Sequence, residues 1–136
     1  MRIKNHKKLK AFSMLQIMGA ILIAGILTAL AVPSIMKAVT KAKQGEAKNQ
    51  LEHIYSLERL YFLEFSKYSS DLEIIDFEQQ TLVTEEGGAR YKIEIVEAGT
   101  TTFTARASAV QDFDGDGVFN IWEINQDRKL VETQKD

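Results

Sequence analysis

Residues 10–33, KAFSMLQIMGAILIAGILTALAVP, decide how the rest of the chain is arranged. From Ala11 to Met36 there is no charged residue, a run of 26 positions. About 20 apolar residues suffice to carry a helix across a bilayer. The ten residues before the run, MRIKNHKKLK, hold Arg2, Lys4, Lys7, Lys8 and Lys10 and no acid. Such a flank stays on the cytoplasmic side, because moving several cations through hydrocarbon is unfavourable. The apolar core of a secretory signal peptide is shorter, about 7–15 residues. The run therefore reads as a single membrane span with its N-terminus in the cytoplasm.

Within the span, Gly19, Ala20, Ala24, Gly25, Ala29 and Ala31 are small, and the pairs Ala20/Ala24 and Gly25/Ala29 lie four apart on one helical face. Helices pack closely at such faces. Pro33 lacks an N–H and would leave the Ala29 carbonyl unpaired, so a kink or loosening is expected between Gly25 and Pro33.

The junction Lys10-Ala11-Phe12-Ser13-Met14-Leu15-Gln16, with Gly25 and Pro33 further in, resembles the type IV pilin and pseudopilin family. The resemblance implies that a prepilin peptidase cuts between Ala11 and Phe12 and methylates the new N-terminus at Phe12. It also implies that Phe12, Gln16, Gly25 and Pro33 serve assembly of the apolar helices into a filament core, with other pilin subunits and an inner-membrane assembly machinery as partners. Two positions depart from the usual pattern. Ala11 stands where glycine is usual, and Gln16 stands where a glutamate is thought to pair with a neighbouring subunit's ammonium. The amide of Gln16 can accept a hydrogen bond from that ammonium but offers it no charge.

Beyond the leader, residues 12–136 carry 12 basic and 19 acidic side chains, a formal charge of −7. Nucleic-acid binding is not expected of so acidic a chain. There is no cysteine to staple an exported domain. After Pro33 the pattern stays helical but turns amphipathic: Ala47, Leu51, Ile54, Tyr61, Phe62 and Phe65, with Leu57 adjoining, recur at intervals of three and four. One nearly continuous helix is expected from about Phe12 to Phe65, with Gly45 a soft point within it. The stretch from Glu46 to Tyr68 is also similar to the corresponding part of many pilins.

Ser66 to Asp76 ends the helix with turn formers, and Glu85-Glu86-Gly87-Gly88 breaks the chain again. Tyr91, Ile93 and Ile95 then alternate with polar residues, and Phe103, Ala105 and Ala107 do so within TTFTARASA. Further strands are expected over Val118–Ile124 and at Leu130-Val131. Strands joined by short turns imply an antiparallel sheet. The fold class is thus α+β: a long N-terminal helix, half membrane-spanning and half amphipathic, packed on a small antiparallel β-sheet head. Five segments follow: a basic leader (1–11), a transmembrane or filament-core helix (12–36), its amphipathic continuation (37–67), a connecting loop (68–89) and the sheet head (90–136).

A second motif joins the second and third strands. Asp112, Asp114, Asp116, Gly117 and Glu123 match D-x-D-x-D-G with glutamate at the twelfth position, the spacing of an EF-hand calcium loop. Alternate carboxylates can converge on one ion, while the Val118 carbonyl and Asn120 extend the oxygen set and Glu123 is the least secure member. Hard oxygen donors without histidine or cysteine suit calcium rather than zinc. The flanks read as strands, so a hairpin clip is expected rather than a helix-loop-helix. An acidic surface turn is the plain alternative. Similar turns near the C-terminus occur in several pilins and in the major pseudopilin of type II secretion, which implies a structural calcium here.

For catalysis the chain offers little. His6 lies in the leader, His53 stands alone on the amphipathic helix, and no nucleophile motif, phosphate loop or zinc spacing is present. The expected function is that of a non-enzymatic structural subunit of a type IV pilus, held in the inner membrane before assembly and then exposed at the cell surface. A pseudopilin of a type II secretion system is the first alternative, and a membrane-anchored calcium-binding module that never polymerises is the second.

Overall fold

The computed structural model describes residues 12–136. The leader expected over 1–11, Ala11 included, lies outside the described residues. The chain divides into two compact units, Met1–Ala38 and Val39–Asp136. A helix, α1 (Met14–Phe65), begins in the first and ends in the second.

In the first unit the helix starts two residues after Phe12. Ser13 Oγ accepts the Gln16 N–H at 3.3 Å, and Gln16 Oε1 accepts the Ser13 N–H at 3.1 Å. This is a reciprocal capping box, which satisfies N–H groups that a helix start otherwise leaves orphaned. α1 continues as helix through Pro33, and Thr28 Oγ1 donates to the Ala24 carbonyl at 2.8 Å. Apart from the half-buried Gly19, the described residues up to Ala38 are exposed, Phe12 at 81% and Leu30 at 72% among them. The segment is long and apolar enough to cross a membrane.

In the second unit the helix is amphipathic. Ala47, Leu51, Ile54 and Glu58 are its buried residues, spaced four, three and four apart on one face. The last turns differ from the sequence pattern: Phe62 is half-buried, Phe65 is exposed, and the buried stripe passes through Glu58 instead. The helix stops where Ser66 takes a left-handed backbone (φ 55°) and its N–H bonds the Phe62 carbonyl.

Residues 67–90 form a connection containing a short 3-10 turn, Val83–Glu85, and a single parallel bridge between Leu82 and Ala89. Gly87 is required there, since a Cβ would run into the Thr81 carbonyl oxygen.

Among the described residues four strands follow: β1 (Tyr91–Ala98), β2 (Phe103–Ala109), β3 (Ile121–Asn125) and β4 (Leu130–Gln134). They form an antiparallel meander in the order β1-β2-β3-β4. β3 starts at Ile121 rather than Val118 because the preceding residues belong to the β2–β3 loop. β4 runs further than Leu130-Val131 because it pairs with Ile121 to Ile124 of β3.

The sheet presents Tyr91, Ile93, Phe103, Ala105, Ala107, Ala109 and Ile124 to the same buried cluster as Ala47, Leu51 and Ile54 of α1. The alternation in β2, with small alanines inward, leaves room for the helix against the sheet. Burying a leucine or isoleucine here contributes about 1.5–3 kcal/mol.

Candidate functional site

The acidic loop between β2 and β3 is folded by its own carboxylates. Asp112 Oδ1 accepts the N–H groups of Asp114 (3.2 Å) and Gly115 (2.6 Å), and its Oδ2 accepts that of Gly117 (2.7 Å). Asp114 Oδ1 accepts the Asp116 N–H at 3.1 Å, and Asp116 Oδ1 accepts that of Val118 at 2.7 Å. These are successive Asx turns, for which aspartate is suited because its short side chain reaches its own backbone two residues on. Gly115 and Gly117 supply left-handed φ values of 86° and 85°. The N–H groups of Gly117 and Gly115 hold the Asp112 carboxyl below the usual carboxylate range.

One carboxylate oxygen from each of Asp112, Asp114 and Asp116 lies within 4.8 Å of the other two. Three ionised carboxylates so close repel one another. All are hard oxygen donors, a set that fits a calcium ion.

The loop is anchored at Phe113. Its ring lies 5.8 Å from that of Tyr91, Lys43 Nζ of α1 stands 4.7 Å above it, and its N–H donates to Asp136 Oδ2 at 2.9 Å. The base of the loop is therefore fixed to helix, sheet and C-terminal residue, while Asp114 and Asp116 stay exposed.

The side chains of Asn120 and Glu123 are not with the three aspartates. Asn120 is fully buried, its Oδ1 accepts the Tyr91 hydroxyl at 2.7 Å, and its Nδ2 donates to Glu132 Oε1 (2.7 Å) and the Gln134 carbonyl (3.1 Å). Its own carbonyl accepts the Ala109 N–H. Glu123 lies in β3 opposite Arg106, whose Nε donates to Glu123 Oε1 at 2.8 Å, and Arg106 also stands 3.7 Å from Glu94 of β1. The physical reason is the strand after the loop. In a helix-loop-helix the twelfth residue turns back to the ion, whereas here it is committed to the cross-strand ladder. Val118 remains in the loop, bonded through its N–H to Asp116.

Sequence reasoning missed the buried junction around Asn120. Glu132 Oε1, which accepts from Asn120, also accepts from Gln44 Nε2 of α1 at 3.2 Å, so helix, β1, β4 and the end of the loop meet in one polar network. Burial, with Glu46, Asp136 and Glu132 nearby, pushes the Tyr91 phenol well above the usual tyrosine range. The capping box was also missed, though Ser13-x-x-Gln16 is its sequence signature.

His53 lines an open cleft of about 1330 Å³ with Ser70, Asp71 and Asp76. Its ring packs 5.9 Å from that of Phe77. None of the described hydrogen bonds joins His53 to Ser70, Asp71 or Asp76 beside it in the cleft. In the first unit, Phe12, Gln16, Gly25 and Pro33 are exposed, and a Cβ built on Gly25 meets nothing within 4 Å.

No protein-family profile matches the chain. A comparison with curated proteins finds similarity to the type IV major pilin protein PilA of Myxococcus xanthus (strain DK1622), at 32% identity over 89 residues. The matched stretch is 65% of this chain and 38% of that protein, so the chain spans well under half the length of the relative it matches.

Proposed function

We propose, from the type IV pilin family that this match supports, that the chain is a structural subunit of a type IV pilus. The observation that carries the reading is the exposed, uncharged helix surface between Phe12 and Met36. So large an apolar surface has to be covered, first by lipid and then by the same segment of other subunits. Exchange of lipid contacts for helix contacts drives assembly, and small residues such as Gly25 let the backbones approach. Pro33 supplies a point where the helix can adjust as it leaves the bilayer.

In this reading residues 1–11 are a leader removed by prepilin peptidase, which cuts before Phe12 and methylates it. The span 12–36 is anchored in the inner membrane with the leader in the cytoplasm, and 37–67 backs the head formed by 90–136, with 68–89 connecting them. The Gln16 amide is held by Ser13 and offers its remaining hydrogen-bonding capacity to the neighbouring subunit's N-terminus.

Asp112, Asp114 and Asp116 would hold a calcium ion in the mature head, with the Val118 carbonyl completing the protein's oxygen set. The ion supplies positive charge that offsets the repulsion of the three carboxylates. The residues themselves preform the loop through the Asx turns and tie it to α1 and β1 through Phe113. The loop thus does the work of a disulfide in a chain without cysteine.

The deciding experiment is the intact mass and N-terminal sequence of the protein recovered from the cell envelope. A form beginning at N-methylated Phe12 is expected. An intact Met1 or a cut beyond Pro33 would replace the subunit reading with that of a membrane-anchored or exported calcium-binding module. Recovery of the Phe12 form only in periplasmic filaments would favour a secretion pseudopilus.

A further inference from the structure

Glu58 lies on the face of α1 that is otherwise filled by Ala47, Leu51 and Ile54, and it is fully buried. Its Oε2 accepts the Ser69 N–H at 3.0 Å, and its Oε1 has no hydrogen-bond partner. Among the described residues no cation lies within ion-pair distance of it.

The group it holds is the start of the connection out of the helix. Ser69 is itself buried, its Oγ donates to the Asp71 carbonyl (3.0 Å) and accepts the Asp71 N–H (3.1 Å), and Asp71 Oδ1 accepts the Glu73 N–H. Tyr68 donates its N–H to the Gly99 carbonyl, and Phe77 donates to that of Leu72. Ser66 and Asp76, at the two ends of the segment, both have left-handed backbones (φ 55° and 58°) although neither is glycine. Such residues persist only where their surroundings hold them, which makes them suited to be hinges.

We propose that Glu58 is a proton-dependent latch: it carries a proton while the Ser66–Asp76 segment is closed over it, and its ionisation releases that segment. The proton sits on the unpartnered Oε1 while Oε2 keeps the Ser69 N–H. A carboxylate taken wholly out of water, with one donor and no cation, is costly, and the neutral acid is much less so.

The groups around the site do not compensate the charge. Burial and the Ser69 N–H are the influences on Glu58 itself, while Tyr55, Glu58, Arg59 and Asp127 all act on the Tyr68 phenol, and Arg59 is the one cation of that set. Lys67, Asp71, Glu73 and Asp76 of the segment are exposed. Burial raises the Glu58 carboxyl above the ordinary glutamate value by more than the Ser69 N–H lowers it.

The sign follows. In the opened segment Glu58 meets water and ionises as an ordinary glutamate, so the closed form binds the proton to higher pH. The latch is fully set below about pH 4.5 and weakens as pH rises. Opening becomes up to tenfold easier per pH unit until the closed-form carboxyl has itself ionised. This inference does not depend on whether the chain assembles into a filament.

The test is amide hydrogen exchange at Ser69 and Tyr68 in the full chain in detergent micelles, corrected for intrinsic exchange at each pH from 4 to 8. A His53→Gln background takes the helix's imidazole out of the comparison. Protection at Ser69 is expected to fall several-fold or more with rising pH, and to be independent of pH in Glu58→Gln. Protection that is flat with pH, or a Glu58→Gln variant with the same slope, overturns the latch. Should the glutamine variant not fold, the carboxyl carbon shift of Glu58 followed by NMR decides: a midpoint above that of an ordinary glutamate supports the proposal, and one at or below it refutes it.

Discussion

Asn120 shows how a residue's role depends on the level at which it is read. In the motif it is a candidate oxygen ligand; in the fold it is the acceptor for a buried tyrosine and the donor to β4. Nothing in its neighbours along the chain reports this, because Tyr91, Glu132 and Gln134 reach it through strand pairing. Asn120→Ala should therefore destabilise the head with or without calcium, by about 1–3 kcal/mol for an orphaned buried hydroxyl. A urea midpoint lowered equally in calcium and in chelator is the expected result. In Asn120→Ala/Tyr91→Phe the loss should fall well short of the sum of the two single changes.

Tyr91 adds an alkaline limit. Its phenol ionises higher in the folded than in the unfolded chain, where tyrosine titrates near about 10. Its contribution is fully present below that value and is lost as pH rises above it. Melting temperature should drop between pH 9.5 and 11.5, and less steeply in Tyr91→Phe.

Elements in this protein follow from patterns in the sequence with one recurring shift, at their ends. The helix, the β1 and β2 alternation and the antiparallel order are what periodicity and short turns imply. The ends move where a side chain bonds backbone: Ser13 and Gln16 start α1 after Phe12, and the three aspartates hold the chain in a loop until β3 begins at Ile121. The free edge of β1 shows the same principle. Gln79 Oε1 accepts the Ile93 N–H at 2.8 Å and its Nε2 donates to the Tyr91 carbonyl at 3.2 Å, so a single side-chain amide stands in for a neighbouring strand.

Two outcomes test the elements. Leu51→Ala, at the fully buried centre of the helix face, should cost about 2–5 kcal/mol, read as a lowered urea midpoint. If Asp114 holds the proposed calcium, Asp114→Ala is expected to melt as the parent does in chelator and below it in millimolar calcium, because the residue is exposed and its carboxylate otherwise makes one turn hydrogen bond. Equal melting of the two proteins under both conditions would remove the metal site.

At the scale of the molecule, the Val39–Asp136 unit buries an apolar core between helix and sheet, while the described part of Met1–Ala38 leaves its large apolar side chains exposed. This division underlies the prediction for Phe12→Asp. Because Phe12 is exposed and is not one of the core residues, the head should fold unchanged, with the same near-ultraviolet spectrum, while pili disappear from the cell surface. Pili of normal number and length in that variant would exclude Phe12 from assembly.

The apolar span, the amphipathic helix that follows it, the α+β class and the convergence of Asp112, Asp114 and Asp116 were all legible along the chain. Each of these is written within a few residues, in charge, period or spacing. That Asn120 and Glu123 bond elsewhere, that Gln79 closes a sheet edge and that Glu58 is sealed under Ser69 emerge from the packed fold. Those outcomes depend on partners 11 to 17 positions away or more along the chain. A burial or a hydrogen bond between such distant residues leaves no local pattern to read, because it exists only once the helix and the sheet have packed.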